Sequence, residues 1–417
     1  MCVVGSIGGL PVVRKMLSFE QALNIVKEKL ATADLRLGTE VVPLGEACGR
    51  VLAEEVVADR DYPPFHRSIR DGFAVRAEDV ATPPVELRWR GEIRAGEHFT
   101  GTVGAGECVS IMTGAPLPAG ADAVVMVEYA ESQEDNVKIH RGVQTGENVV
   151  PQGSEARAGA PVLPRGRRLG AAELGLLATV GKWRVPVFVR PMVAILPTGD
   201  EVVPVEQRPE WFQIRNSNAI SLSAQVVAAG GIPHCLEIAP DRPEALRRLI
   251  KEGLNADLLL LTGGVSVGRY DFVEQVLADL GAEFYFQSVA LRPGKPLVFG
   301  RVAGKFFFGL PGNPVSTFVT FALFARPALA ALGGADFEAP LFLRARIDKP
   351  FQQRTGLTAF LPARLDRSSG DPVVSLVGWQ GSGDLVGAAV ANCFLVVHPD
   401  QTNLTAGDWV DVMAKER

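Results

Sequence analysis

The sequence predicts a multidomain protein of the α/β plus β class. It has a central doubly wound α/β domain, an all-β insertion module, a linking domain of mixed helix and strand, and a C-terminal β-barrel. Three observations point there. Between Arg190 and Val289, apolar strand-like runs alternate with capped helical segments, the pattern of a parallel sheet covered on both faces. Residues 63–145 and 339–417 instead carry short β-branched runs separated by turn residues. The 417 residues are also enough for roughly two to four domains with cores of their own.

In chain order, the start MCVVGSIGGLPVV is apolar but lacks a preceding basic segment, Arg14 and Lys15 coming after it, so it makes a poor signal peptide. Residues 1–16 are read as a disordered or mis-started leader, with Met16 the alternative start. Ser18-Phe19-Glu20-Gln21 fits a capping box, and Phe19, Ala22, Leu23, Val26 and Leu30 then share one helical face. Short β segments from Val41 to Tyr62 and a helical patch from Gly170 to Thr179 belong to a linking or dimerisation domain, residues 17–62 and 146–189. Residues 63–145, the β module, hold strands at Val85–Trp89, Cys108–Ile111, Ala123–Val127 and Val137–Ile139.

The α/β domain spans residues 190–338. Met192–Leu196 is its first strand, and the helix after it is capped by Asn216, Ser217 or Asn218 and stopped by Gly230-Gly231. Cys235–Ile238 is a strand, and Asp241-Arg242-Pro243-Glu244 opens a helix with Asp241 as cap. Asp257–Leu261 is a continuous apolar strand, as expected of one buried on both faces. A helix from Asp271 to Leu280, a strand from Phe284 to Val289 and a long apolar helix from about Val315 to Leu332 complete the domain. Residues 339–417 carry five strands, at Leu341–Ile347, Ala359–Leu365, Val373–Val377, Cys393–Val397 and Trp409–Val412, read as a barrel.

Composition narrows the function. Glycine (44) and proline (29) exceed their usual share without a period or low-complexity tract, which excludes collagen and bulk disorder. A net charge of −5 argues against a generic nucleic-acid binder while leaving room for a local basic pocket. No run approaches the roughly 18 apolar residues of a spanning helix, so no membrane partner is expected. The five cysteines are scattered without a CxxC, so buried reduced thiols and a cytoplasmic setting are expected.

The chemistry concentrates in loops that follow strands of the α/β domain. In Thr262-Gly263-Gly264-Val265-Ser266-Val267-Gly268-Arg269-Tyr270-Asp271, the glycines let backbone N–H groups approach an anion and Ser266 adds a hydroxyl. The helix that follows favours negative charge at its start. Asp271 beside a phosphate loop would repel the ligand without an intervening cation, which makes it a magnesium-side carboxylate; an ordinary N-cap is the competing reading. In Leu291-Arg292-Pro293-Gly294-Lys295-Pro296, two cations flank a stiff turn and suit phosphate or an oxyanion such as molybdate. Gly309-Leu310-Pro311-Gly312-Asn313-Pro314 is a third rigid loop entering a helix. Paired acids in Leu196-Pro197-Thr198-Gly199-Asp200-Glu201 could bind a metal or position water, or could merely decorate a loop.

Together these segments resemble the molybdopterin molybdenumtransferase (MoeA) family, including the E domain of gephyrin. The likeness runs from about Leu17 to the end. It is carried by DGFAV at Asp71, IMTGAPLPAGADAVV at Ile111, LPTGDE at Leu196, TGGVSVGRYD at Thr262, LRPGKP at Leu291, GLPGNPVS at Gly309 and NCF at Asn392. The resemblance implies a homodimer with a MoaB-like α/β domain. Its cleft receives adenylylated molybdopterin and molybdate and faces the β module of the other subunit. It implies Mg²⁺ as the cation, hydrolysis of the adenylate and insertion of molybdenum into the dithiolene, with transient contact to the adenylyltransferase and to acceptor molybdoenzymes. The implied catalytic residues are Asp71, Thr113, Glu201, Asp241 and Asp271, of which Glu201, Asp241 and Asp271 would serve the metal. Gly263, Gly264, Ser266, Gly268, Gly312 and Asn313 would hold the phosphate-bearing substrate, and Arg292, Lys295, Arg364 and Ser382 the molybdate. Molybdopterin adenylyl transfer, tungstate insertion and a gephyrin-like scaffold are the competing functions.

The chain departs from relatives at His66-Arg67-Ser68, Arg70, Glu155 and Ser288. Basic charge is thereby shifted from one wall of the cleft to another. Arg70→Ala is expected to weaken substrate binding more than it slows chemistry, and an unchanged apparent affinity would overturn that.

Overall fold

A computed structural model describes residues 2–7, 10–35, 38–94, 96–264, 272–353, 356–368 and 370–415. The chain forms two compact units, one of residues 42–48 and 54–185 and the other of the remainder.

The smaller unit is built on a six-stranded sheet in the order Ala130–Gln133, Asn136–Ile139, Val85–Ile93, Glu107–Ile111, Gly72–Val75, Ala123–Met126. The Val85–Ile93 and Glu107–Ile111 pair is parallel and the others antiparallel. Both sheet faces are covered. Phe73, Val75, Leu87 and Val125 point into one apolar cluster, while Ala74, Val109 and Val124 point into another. That is why the Gly72–Val75 and Ala123–Met126 strands are apolar at nearly every position rather than alternating. The Ala171–Thr179 helix also lies in this unit, with the Glu173 carboxylate accepting from the Gly170 N–H at 3.0 Å.

The larger unit contains the α/β sheet, in the order Ile232–Cys235, Met192–Pro197, Leu258–Thr262, Lys305–Leu310, Val298–Val302, Glu283–Phe286. The first four strands are parallel, and Val298–Val302 runs antiparallel to both its neighbours, Lys305–Leu310 and Glu283–Phe286. This corrects the uniform strand–helix alternation expected for the domain. The chain returns through Val298–Val302 and Lys305–Leu310, a hairpin that the Pro-Gly loops on either side hide in the sequence. Ala303 and Gly304 join its strands at φ 49° and 80°, the positive pair of a type I′ turn.

Leu258–Thr262 is wholly buried. Leu258 and Leu260 pack under the Ser217–Ala228 helix and the helical stretch 314–332; Leu259 and Leu261 pack under the Pro243–Gly253 and Val273–Asp279 helices. Helices therefore cover both faces of the sheet. Ser18 caps the Phe19–Ala31 helix through a reciprocal box with Gln21, and its Phe19, Ala22, Val26 and Leu30 enter the first of these clusters.

The long helix from Pro314 is not one regular helix. It runs as Pro314–Thr320, a π-helical turn Phe321–Ala325, and Arg326–Leu332. Pro327 lacks the N–H that would continue the ladder, and the wide turn lies just ahead of it. Contrary to the composition reading, this stretch is long and apolar enough to cross a membrane, but 72% of it is buried, as in a core helix.

The C-terminal strands close a barrel: Thr358–Asp366, Val373–Leu376, Phe342–Ile347, Trp409–Ala414, Cys393–Val397 and back to Thr358–Asp366. Leu291–Arg292 adds alongside Thr358 and Ala359 in parallel, tying the Arg292 loop of the α/β domain to the barrel.

Two further expectations are corrected. Residues Cys2–Ile7 and Leu10–Lys15 form an antiparallel hairpin rather than a disordered leader, since their apolar, β-branched runs suit strands. Among the described cysteines, Cys108 and Cys393 are buried, and burial pushes both thiols up to about 12; Cys48 and Cys235 are exposed, so only half of these four fit the expected buried thiols.

Candidate active site

The parallel strands end on one rim, and a cleft of about 620 Å³ opens above them. Thr198 follows the Met192–Pro197 strand and its N–H donates to the Thr262 carbonyl at 3.0 Å; the Gly263 N–H donates to the Leu310 carbonyl at 3.3 Å. Three neighbouring strand ends are thus laced together where the backbone must turn. Gly263 and Gly264 take φ 93° and 63°, and a Cβ on Gly263 would lie 2.8 Å from the Thr198 carbonyl oxygen. Only glycine fits that approach, so the cleft floor is bare backbone.

Asn216 caps the Ser217–Ala228 helix, its side chain accepting from the Ala219 N–H at 3.1 Å. Two residues on, Asn218 Nδ2 donates to Thr262 Oγ1 at 2.8 Å and to the Gly312 carbonyl at 2.7 Å. Asn218 therefore pins the two glycine loops to each other, leaving its Oδ1 buried without a hydrogen-bond partner among the described residues. The sequence reading treated this Asn only as a cap candidate and did not name Thr198 or Thr262 as cleft residues. The signal available was a second Asn just inside the helix, beyond the position capping needs.

Glu201 and Asp241 both line the cleft. Gly199 has φ 132°, and a Cβ there would fall 2.5 Å from Glu201 Oε2, so the carboxylate folds over the bare glycine. Asp241 is not the helix cap expected from the sequence. Arg242 occupies that position and Pro243 begins the helix, so Asp241 stands one residue earlier, with its N–H donating to Asp200 Oδ1 at 3.1 Å. Among the described residues no three His, Cys, Asp or Glu side chains gather as a metal cluster. Two carboxylates with no imidazole or thiolate nevertheless suit a hard cation such as Mg²⁺, which takes one or two carboxylates and completes its shell with phosphate oxygens and water.

On the opposite side, Gly312, Asn313 and Pro296 line the cleft. Asn313 Nδ2 donates to Ser382 Oγ at 2.9 Å, and the Val315 N–H donates to the Ser382 carbonyl at 2.9 Å. Ser382, from the barrel region, thereby reaches the third loop. Its own loop is held by Asp384, which caps the Leu385–Val390 helix; the Gly387 and Gln380 N–H groups depress its carboxyl pKa. Arg292 and Lys295 are exposed and pair with no carboxylate among the described residues. Their side chains do not line the cleft, although Pro296 of the same loop does. Arg364, on the Thr358–Asp366 strand, is also exposed and outside the lining. Ser266, Gly268 and Asp271 lie outside the described residues.

In the smaller unit, Asp71 and Thr113 meet directly. Asp71 Oδ1 accepts from the Thr113 N–H at 2.6 Å and from its hydroxyl at 2.8 Å. These two donors, the backbone one first, hold the Asp71 carboxyl below the usual carboxylate range. Of the departures noted in the sequence, Arg67 pairs with Glu155 at 2.8 Å and Arg70 is exposed. Ser288 is buried in the larger unit, with its hydroxyl donating to the Lys295 carbonyl at 3.4 Å.

Three family models match the chain in succession. Residues 17–181 match the MoeA N-terminal region (domain I and II), 194–331 the "Probable molybdopterin binding domain", and 344–415 the MoeA C-terminal region (domain IV). The chain is 36% identical over 408 residues to the molybdopterin molybdenumtransferase of Nostoc sp., covering 95% of this chain and 94% of that one. It is 36% identical over 384 residues to the molybdopterin molybdenumtransferase of Bacillus subtilis, covering 90% and 89%. Among solved structures it is similar to a molybdopterin biosynthesis moeA protein from Pyrococcus horikoshii OT3, with a TM-score of 0.80, 28% identity and coverage of 96% and 100%. The chain therefore belongs to the molybdopterin molybdenumtransferase (MoeA) family.

Proposed function

We propose that this chain is a transferase of molybdenum cofactor biosynthesis that inserts molybdenum from molybdate into the dithiolene of adenylylated molybdopterin, with hydrolysis of the adenylyl group to release AMP. The observation that carries the reading is the succession of three family matches along the chain, joined to a cleft with a bare-glycine floor and two carboxylates on one side. Gly263, whose own N–H is held by the Leu310 carbonyl, gives the bare floor, and the Gly264 N–H, extended by Ser266 and Gly268, would hold the phosphate. Glu201 and Asp241, with Asp271, would hold Mg²⁺. Bound there, the cation would neutralise charge on the pyrophosphate as phosphorus is attacked.

Arg292 and Lys295, long cations that pair with no carboxylate among the described residues, would bind molybdate together with Arg364 and Ser382. Asn313 and the Val315 N–H set the position of Ser382, while Gly312 is held by Asn218 at the cleft edge. The dithiolene sulfurs of the substrate supply the metal's ligands, so the protein needs no thiolate of its own. Asp71 and Thr113 act from the β module. The protein works as a homodimer in which each cleft is completed by the module of the other subunit. Free thiols suit a cytoplasmic setting, and the adenylyltransferase and acceptor molybdoenzymes are its transient partners.

The test mixes the purified full chain with adenylylated molybdopterin, Mg²⁺ and either molybdate or tungstate. AMP release and reconstitution of an apo molybdoenzyme are followed. Release of AMP with active enzyme in the molybdate arm is expected. Absence of AMP release would reject the reading.

A further inference from the structure

The loop that carries Arg292 and Lys295 is built on buried backbone. Pro293 and Gly294 are buried, while the two cations on either side of them are exposed. Its base closes on one atom. The Lys295 carbonyl accepts from the Val289 N–H at 3.0 Å, the Leu297 N–H at 3.1 Å and the Ser288 hydroxyl at 3.4 Å. On one flank, Gly294 fits against the helix that follows the third loop: at φ 112°, a Cβ there would lie 2.6 Å from Thr320 Cγ2. The backbone from which Lys295 projects is thus set from below, by the residues that lead into the loop.

Those residues lie just past the sheet. Among the described residues, Glu283–Phe286 pairs only with Val298–Val302, at the sheet's edge, and its pairing ends at Phe286. Val298–Val302 is antiparallel to both Glu283–Phe286 and Lys305–Leu310, so Glu283–Phe286 runs the same way as Leu258–Thr262 and ends on the same rim. Beyond Phe286, the Ser288 carbonyl and the Ala290 N–H bond to Leu17, ahead of the first helix. Toward the glycine loop the link is a side chain: Gln287 Nε2 donates to Glu274 Oε2 at 2.6 Å. Glu274 is buried, in the first turn of the Val273–Asp279 helix, which the glycine loop enters. A carboxylate withdrawn from water needs donors, and an amide N–H given to one bonds more strongly than to a neutral acceptor. The pair therefore braces the base of the cation loop against the helix behind the glycine loop.

We propose that Gln287, acting through Glu274, is a positioning residue for the oxyanion: it holds the Arg292–Lys295 loop in register with the glycine loop, so that molybdate is delivered to the substrate held there. This rests on the functional reading above. Neither Gln287 nor Glu274 lines the cleft. The glycine loop has anchors of its own, the Gly263 N–H on the Leu310 carbonyl and the Asn218 bonds to Thr262 and Gly312. Loss of the brace should therefore be felt by the cation loop and by molybdate, and little by the phosphate-bearing substrate.

The experiment follows AMP release by the full chain in wild type, Gln287→Leu, Gln287→Asn and Glu274→Gln, with the KM of molybdate and the KM of adenylylated molybdopterin measured separately. Gln287→Leu removes the amide. Gln287→Asn withdraws it by one methylene and keeps its polarity, which serves if leucine beside the buried carboxylate unfolds the chain. Glu274→Gln keeps the shape and an acceptor oxygen, and should behave as wild type. Both Gln287 variants should raise the KM of molybdate at least about fivefold, the loss of one hydrogen bond, with kcat and the KM of adenylylated molybdopterin within about twofold of wild type. An unchanged molybdate KM, an equal rise for both substrates, a fall in kcat alone, or a loss in Glu274→Gln as large as in Gln287→Leu overturns the positioning role and leaves the function intact. Unfolding of both Gln287 variants, seen by far-UV circular dichroism, makes the bond structural and overturns it equally. Failure of wild type to release AMP overturns the functional reading and this inference with it.

Discussion

At the scale of single residues, the site depends on small groups that hold larger ones. Asp71 owes its depressed pKa first to the Thr113 N–H and second to the Thr113 hydroxyl. Thr113→Val removes the hydroxyl and keeps the N–H, so the Asp71 pKa should rise only part of the way to its ordinary value of about 3.9. An NMR titration of the side-chain carboxyl measures this. The sign for stability follows from the depressed value. The Asp71 contacts stabilise the fold above the unfolded pKa and are lost as pH falls through the folded one, so the variant should lose this contribution at a higher pH than wild type. Gly199 is the second case. Alanine there would face both a φ of 132° and the Glu201 carboxylate. Gly199→Ala should cut AMP release at least about tenfold through misplacement of that carboxylate. Far-UV circular dichroism should stay native; a variant as active as wild type would show that Glu201 need not fold over the glycine.

At the scale of elements, the Val298–Val302 and Lys305–Leu310 hairpin turns on an alanine in the left-handed region, where alanine is strained. Ala303→Asn would create the Asn-Gly pair that type I′ turns prefer, and should stabilise the larger unit by about 0.5–1 kcal/mol in urea unfolding. This hairpin also marks where the sequence stopped being legible. The Leu258–Thr262 strand and the Phe19–Ala31 helix could be read directly because continuous apolarity and a capping box each have one physical cause. Val298–Val302 and Lys305–Leu310 could not, because Gly300, Arg301 and Lys305 interrupt the apolar pattern and Pro-Gly loops flank it. The site shows the same division. Glycines and acids advertise themselves, and six of the expected residues meet at the cleft: Glu201, Asp241, Gly263, Gly264, Gly312 and Asn313. Asn218, Thr198 and Thr262 act by tying strand ends together, and that role depends on which strands are neighbours, which no local pattern encodes.

At the scale of the whole molecule, the larger unit shares a core across its parts. Phe19 of the first helix lies 5.6 Å from Phe324 of the long helix and 6.0 Å from Phe360 of the barrel, ring centre to ring centre. Phe394, Val396 and Met413 of the barrel join the same cluster. The carboxylates of the cleft and the Arg292–Ser382 side are therefore carried by one packed body, whereas Asp71 and Thr113 belong to the other unit. If each cleft of a two-fold dimer is completed by the module of the opposite subunit, lesions in the two units should complement. Asp71→Ala and Asp241→Ala should each abolish AMP release alone. In a mixed dimer, the cleft with intact Asp241 would face the module with intact Asp71, while the other site would carry both lesions. Random exchange makes half the dimers mixed, so mixing should restore about a quarter of wild-type activity. Were each site built within one subunit, every site in the mixture would carry a lesion and activity would stay at the level of the separate variants. AMP release after subunit exchange, with dimer formation followed by analytical ultracentrifugation, decides between the two.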